Sequence, residues 1–195
     1  MRTTALAVAV LIAAPPAAAV PRIYEVDRGR SEVAFLIGHM IGKVRGRFTR
    51  FTGRIEGDID NAAAASVELV IQAASINTAL PRRDDHLRGS DFFDVKAHPE
   101  ILFRSEKVAP RGKDRYDVTG ILTMRGVAKK VVLPVKILRT DLGAGGVDKI
   151  RFGVATTLDR RDFGIVWNKV LETGGVLLGD EVAVEIELEA VARDK

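Results

Sequence analysis

Residues 83–94 read RDDHLRGSDFFD, and within them arginine, aspartate, histidine and serine stand close enough to do chemistry. His86 could act as general base for a hydroxyl, with Asp84 or Asp91 orienting its imidazole, as in acyl transfer. Ser90 lies four residues on and would share a helical face with His86, whereas Asp84 and Asp85 point elsewhere. A hydrolase or isomerase built on His86 with Asp84 or Asp91 is therefore the enzymatic reading. It lacks the converging scaffold that a triad requires, and no strand–GxSxG–helix elbow occurs. Metal chemistry has less to draw on. The histidines are His39, His86 and His98, with no HxH, HxxxH or HExxH spacing. The chain has no cysteine, so thiolate nucleophiles, cysteine-ligated zinc and disulfides are excluded. No metal and no cofactor is expected. The glycines at 143–146 precede a strand and read as a turn, not as a phosphate loop. The non-catalytic reading pairs Arg82, Arg83, Asp84, Asp85 and Arg88 locally on a solvated turn. Leu87, Phe92 and Phe93 then supply an apolar face.

The elements that must hold this stretch alternate with period two. In EVAVEIELEAV (181–191), Val182, Val184, Ile186, Leu188 and Ala190 fall on one face and glutamates on the other, the mark of a half-buried strand. SVELVIQA (66–73), KKVVLPVKIL (129–138) and KIRFGVATTL (149–158) repeat the pattern. Further strands are expected at 22–27, 31–38, 51–60, 101–108 and 115–124, with turns at 110–114, 125–128 and 142–148. Eight or nine such strands joined by short turns predict an antiparallel meander closed into a barrel or folded into a sandwich. ALPRRDDHLRGSDFF (79–93) breaks the alternation. Pro81 near its start, Asn77 or Thr78 as cap and Gly89 at its end predict a short helix between two strands.

The first nineteen residues stand apart. One positive charge in MRTT, a short apolar run and the small-x-small ending Ala17-Ala18-Ala19 are the order of a secretory signal. Cleavage after Ala19 would leave a single exported domain, 20–195. No later stretch is long and apolar enough for a membrane-spanning helix. A barrel with its apolar face outward would need aromatic girdles, for which two tyrosines and one tryptophan are too few. Of 30 basic residues, removal of Arg2 leaves 29 against 26 acidic ones, a net charge of +3. That modest excess, without interleaved aromatics, argues against nucleic acid as a partner.

Five blocks in order carry a resemblance: YEVDRGRSEVAF (24–35), GKVRGRFTRFTGRI (42–55), RDDHLRGSDFFDVKAHPEILFRS (83–105), GILTMRGVAKKVVLPV (120–135) and RRDFGI (160–165). Together they resemble the YceI-like family of bacterial periplasmic proteins, the third block most specifically. The resemblance implies an all-β, antiparallel lipocalin-like barrel of about eight strands with a short helical segment near 80–90. It also implies a long apolar pocket holding a polyisoprenoid, quinone-type or fatty-acid-like lipid, and no assigned reaction. On that footing the pocket is expected to be lined by Phe35, Phe51, Ile55, Leu69, Ile71, Phe92, Phe93, Phe103, Leu122, Leu133, Val135, Phe152, Val154 and Trp167. Arg83, His86 and Arg88 would meet a head group at its mouth, and Trp167 would stand at the rim or plug the end. Glycines alternate with bulky residues on two inward faces: Gly53 and Gly57 beside Phe51, Ile55 and Ile59, and Gly120 beside Val118 and Leu122. They either leave cavity volume or ease barrel curvature. A fully packed interaction module, and a homodimer, stay open.

Overall fold

A computed structural model describes residues 22–40, 42–57, 59–143, 146–170 and 176–193. The proposed export signal (1–19), the tip of the 142–148 turn and the side chain of Ile59 lie outside the described residues. The nine expected strands form, with two that were not expected, β3 and β6: β1 (Arg22–Val26), β2 (Glu32–His39), β3 (Gly42–Phe48), β4 (Phe51–Gly57), β5 (Ser66–Gln72), β6 (Ile76–Asn77), β7 (Glu100–Pro110), β8 (Arg115–Met124), β9 (Val127–Gly143), β10 (Gly146–Asp159) and β11 (Leu178–Ala192). One helix, α1 (Pro81–Arg88), interrupts them.

Eight strands make a ring in the order β1-β4-β5-β7-β8-β9-β10-β11, all antiparallel, closed by pairing of β1 with β11 (Tyr24 opposite Ala192). This is the lipocalin-like barrel. β11 also pairs with β2, through Leu178 to Glu187, so β1 and β2 lie end to end along one long strand. β3 follows as the hairpin partner of β2, and β4 pairs antiparallel with β1. The alternation predicts the facing correctly: Val182, Val184, Ile186 and Leu188 look into the barrel, and the intervening glutamates look out. The outer wall carries cross-strand ion pairs such as Arg45 with Glu185 and Arg104 with Glu68. The β8–β9 turn is tighter than expected. Arg125 (φ 50°) and Gly126 (φ 75°) form a two-residue connection of the type that matches the twist of a hairpin, so β9 begins at Val127.

Two expectations need correcting. GKVRGRF (42–48) is a strand that hydrophobic alternation does not announce, because Lys43, Arg45 and Arg47 fill its outer face and Gly46 leaves one inward position without a side chain. The cap of α1 is neither Asn77 nor Thr78. Leu80 occupies that position without a side-chain bond. The Asn77 side chain instead accepts from Ala79 N (2.8 Å), stabilising the left-handed backbone there (φ 61°). Thr78 is engaged by Asp84, as described below.

Toward one end the ring loosens. β9 and β10 pair only from Val135/Val154 to the far end, and the stretch from Arg160 to Asn168 enters the gap between them. On the other side β3 takes the two-residue β6 as its neighbour instead of β5, and α1 with residues 89–99 covers the opening. Arg125 fastens both inserts to the β8–β9 turn, donating to Ser90 O (2.8 Å) and Gly164 O (2.6 Å).

Candidate binding site: the barrel interior and its mouth

The barrel is hollow. A cavity of about 290 Å³ occupies the loosened half and a second of about 140 Å³ the tightly closed half. Leu69, Phe103, Leu133 and Ile186 line both, so the two meet at a waist made by those four side chains. Above the waist lie Phe35, Ile71, Phe92, Phe93, Leu122 and Trp167; below it lie Ile55, Val135, Phe152 and Val154. Phe51 is buried in the core but lines neither cavity.

The inward glycines do not open this space. A Cβ on Gly120 would collide with the carbonyl oxygen of Arg104 and with the ring of Phe103, one on Gly46 with the ring of Phe35, and one on Gly53 with Val26. Each glycine is a seat for a neighbour's side chain. Gly120 thereby lets the Phe103 ring lie down across the waist, beside a bulge between Ser105 and Lys107 that bends the wall.

Tyr24, Arg54, Glu68 and Tyr116 border the lower cavity, but its wall is almost wholly hydrocarbon, and the polar groups that face the interior are gathered at the mouth end. Arg83 and His86, from α1, both border the upper cavity. The Asp91 carboxylate can only accept, so His86 Nε2 carries the proton and donates to Asp91 Oδ2 (2.9 Å). The imidazole is held edge-on against Phe92 and Trp167, each 5.0 Å away between ring centres, and those two rings are 5.2 Å apart. This cluster joins the two inserts across the mouth. Arg83 Nε donates to Thr78 Oγ1 (2.7 Å) and Nη2 to Thr78 O (2.8 Å). Among the described residues its Nη1 has no partner. Thr78 in turn donates from both N and Oγ1 to the buried Asp84 (2.9 and 2.5 Å), so Asp84 serves the α1 entry and is not the partner of His86. Ser90 falls outside α1, which ends at Arg88. Arg88 turns away from the cavity. It donates to Ala74 O (2.8 Å) and Ile76 O (2.9 Å) and pairs with Asp85, anchoring the helix to the chain that precedes it.

Sequence reasoning passed over Arg160. Only 5% exposed, it borders the upper cavity and donates to Gly179 O, Ile165 O, Trp167 O and Asp180 Oδ1 at 2.8–2.9 Å. It fixes the insert that carries Trp167. Its signal was present in RRDFGI, but a charged residue in a sequence defaults to solvent, and carbonyl acceptors leave no trace in residue types. Next to it, the Arg161 side chain and then Arg161 N hydrogen-bond Asp159, which holds that carboxyl at about 2 against an ordinary 3.8. Among the described residues no group of three or more metal-binding side chains comes together.

The YceI-like domain model matches residues 24–190. The UPF0312 protein SA2479 of Staphylococcus aureus (strain N315) is 32% identical over 165 residues, spanning 84% of this chain and 94% of that one. The crystal structure of Burkholderia cenocepacia BcnA superimposes with a TM-score of 0.76 at 28% identity, covering 85% of this chain and 99% of BcnA. A Campylobacter jejuni YceI protein gives 0.68 at 31% identity, with 81% and 90% covered. A polyisoprenoid binding domain from Saccharophagus degradans gives 0.67 at 18% identity, with 87% and 98% covered, and shares the fold.

Proposed function

The chain belongs to the YceI-like family, and from that premise we propose that it is a non-catalytic binding protein for a long-chain isoprenoid lipid, of the polyprenyl or isoprenoid-quinone type. The observation that carries this reading is the pair of adjoining cavities, walled by hydrocarbon through most of the barrel's length, with the polar groups that face the interior gathered at one end. Such a site takes a molecule with a long apolar tail and a single polar terminus. Transfer of the tail from water is favourable by roughly 25 cal/mol per Å² of apolar area and asks for few directional contacts. The head group sits at the mouth, where Arg83 Nη1 is free to donate and the outer edge of His86 is accessible. The fold shared with a domain named for polyisoprenoid binding agrees with this reading. His86 is committed to Asp91 and to its two aromatic neighbours, an arrangement suited to holding the mouth together. The protein is exported by its N-terminal segment to the periplasm. A mature N-terminus at Val20, read by sequencing, checks that step.

Mass spectrometry of the organic extract of the purified protein tests the binding reading. A prenyl lipid near one per chain is expected. An empty protein that also fails to take up a prenyl alcohol or a quinone sinks it.

A further inference from the structure

The mouth is bordered by three short segments, and each alternates between cavity and solvent. His39 lines the cavity while Met40 is 55% exposed; Ile165 and Trp167 line it while Val166 between them is 67% exposed; Leu177 lines it while Val176 is 53% exposed. Val170, 77% exposed, bridges to Val176, and Met40 N donates to Leu177 O, so these side chains belong to one connected rim. Single exposed apolar residues are ordinary on a soluble surface; four around the opening of an apolar cavity are not.

The charges at this end are uneven. Asp85, Asp91, Asp159, Asp162 and Asp180 are each engaged by a cationic or imidazole neighbour, and Asp84 is buried against Thr78. Lys43, Arg82 and Lys169 are exposed, and among the described residues they have no ion-pair partner. Among the described residues, Asp94 in the cover and Glu181 on the outer wall of β11 are the acidic side chains left without an ion-pair partner at this end. A rim of aliphatic side chains flanked by free cations is complementary to a bilayer that carries anionic head groups.

We infer that the mouth rim, through Met40, Val166, Val170 and Val176 with Lys43, Arg82 and Lys169, docks the protein on an anionic lipid bilayer. This rests on the lipid-binding reading and supplies its loading step. A tail too apolar to cross water leaves the membrane directly into the barrel, while α1 and the 160–168 insert stay fastened to the wall.

Co-sedimentation with vesicles of phosphatidylethanolamine and phosphatidylglycerol (3:1), against vesicles of phosphatidylcholine alone, tests it. All chains carry the same N-terminus, so any contribution of residues 1–19 cancels. The wild type should bind the anionic vesicles, and more weakly in high salt. Val166→Asp/Val170→Asp should lose at least tenfold, and Lys43→Ala/Lys169→Ala about fivefold per lysine. Leu142→Asp, at an 80% exposed position near the other end of the barrel, should bind as the wild type does. Absence of binding by the wild type, even where a protein partner is captured instead, overturns the proposal. So does unchanged binding by the two rim variants at an unchanged melting temperature, or an equal loss in Leu142→Asp. Retained prenyl lipid without vesicle binding removes the docking face alone; vesicle binding by a chain that never holds lipid removes the binding reading.

Discussion

Below the waist at Phe103, neighbouring strands follow one another around the barrel through backbone hydrogen bonds, and the cavity there is about half the size of the one above. Above the waist β9 and β10 separate, β3 has only the two-residue β6 on its outer edge, and side chains replace the ladder: Arg125, Arg160, Arg88 and the His86–Phe92–Trp167 cluster. A ladder distributes closure over many equivalent bonds. A few side chains concentrate it, so that a change at one of them acts on the mouth and leaves the ring's ladder in place. The same molecule thus has a floor closed by ladder hydrogen bonds and an entrance, held by side chains, whose stability can differ from that of the whole.

The largest expected effect comes from joining the halves. Phe103→Ala should cost about 3–5 kcal/mol in urea unfolding, since a buried ring is removed and its seat over Gly120 is left empty. Lipid extracted from this variant should shift toward longer chains. An unchanged mass distribution would mean that tails stop at the waist. Arg160→Met should cost about 3 kcal/mol, because three carbonyls and Asp180 lose a buried donor together. Hydrogen exchange should then accelerate in 160–168 and α1 while β4, β5 and the lower part of β8 keep their protection. Equal acceleration in both halves would erase the distinction between floor and entrance. Thr78→Val should cost about 1–2 kcal/mol and again act on the entrance, by removing the hydroxyl that donates to the buried Asp84 and accepts from Arg83 Nε, while the backbone bonds at 78 remain.

The smallest effect is on acid stability. The folded state lowers the Asp159 carboxyl to about 2 from 3.8, so its stabilisation is complete above about pH 4 and lost as pH falls toward 2. Asp159→Asn should flatten the stability curve in that window and lower it at neutral pH, with the two proteins converging as pH falls toward 2. A slope unaltered by the substitution would assign the acid limb to other carboxylates.

What the residues disclose differs between the halves for the same reason. Strands such as β10 and β11 bury one face and wet the other, so alternation states both their existence and their direction. The strands of the floor were legible almost throughout, and Ile55, Val135, Phe152 and Val154 border the lower cavity. The entrance was legible as a departure from alternation, and α1 was expected within a residue or two of its bounds. Its fastenings were not. Arg88 and Arg160 bond mainly to backbone carbonyls, a partner that every residue offers equally, so nothing in RDDHLRGSDFFD or RRDFGI distinguishes an anchor from a head-group contact. The glycines misled in another way: which side chain lies over Gly120 depends on a register that the sequence does not state.

The pairing of Tyr24 with Ala192 has a consequence in time. β11 is synthesised after every other strand of the ring, yet β1, β2 and β10 all need it as their neighbour. Until it arrives the growing chain holds an open sheet whose inward face is wet and whose two free edges invite pairing with other chains. Closing the loop between Tyr24 and Ala192 is also the most distant contact in the ring and the slowest kind to form. The barrel is therefore completed in a single late event, and with it both compartments come into existence together.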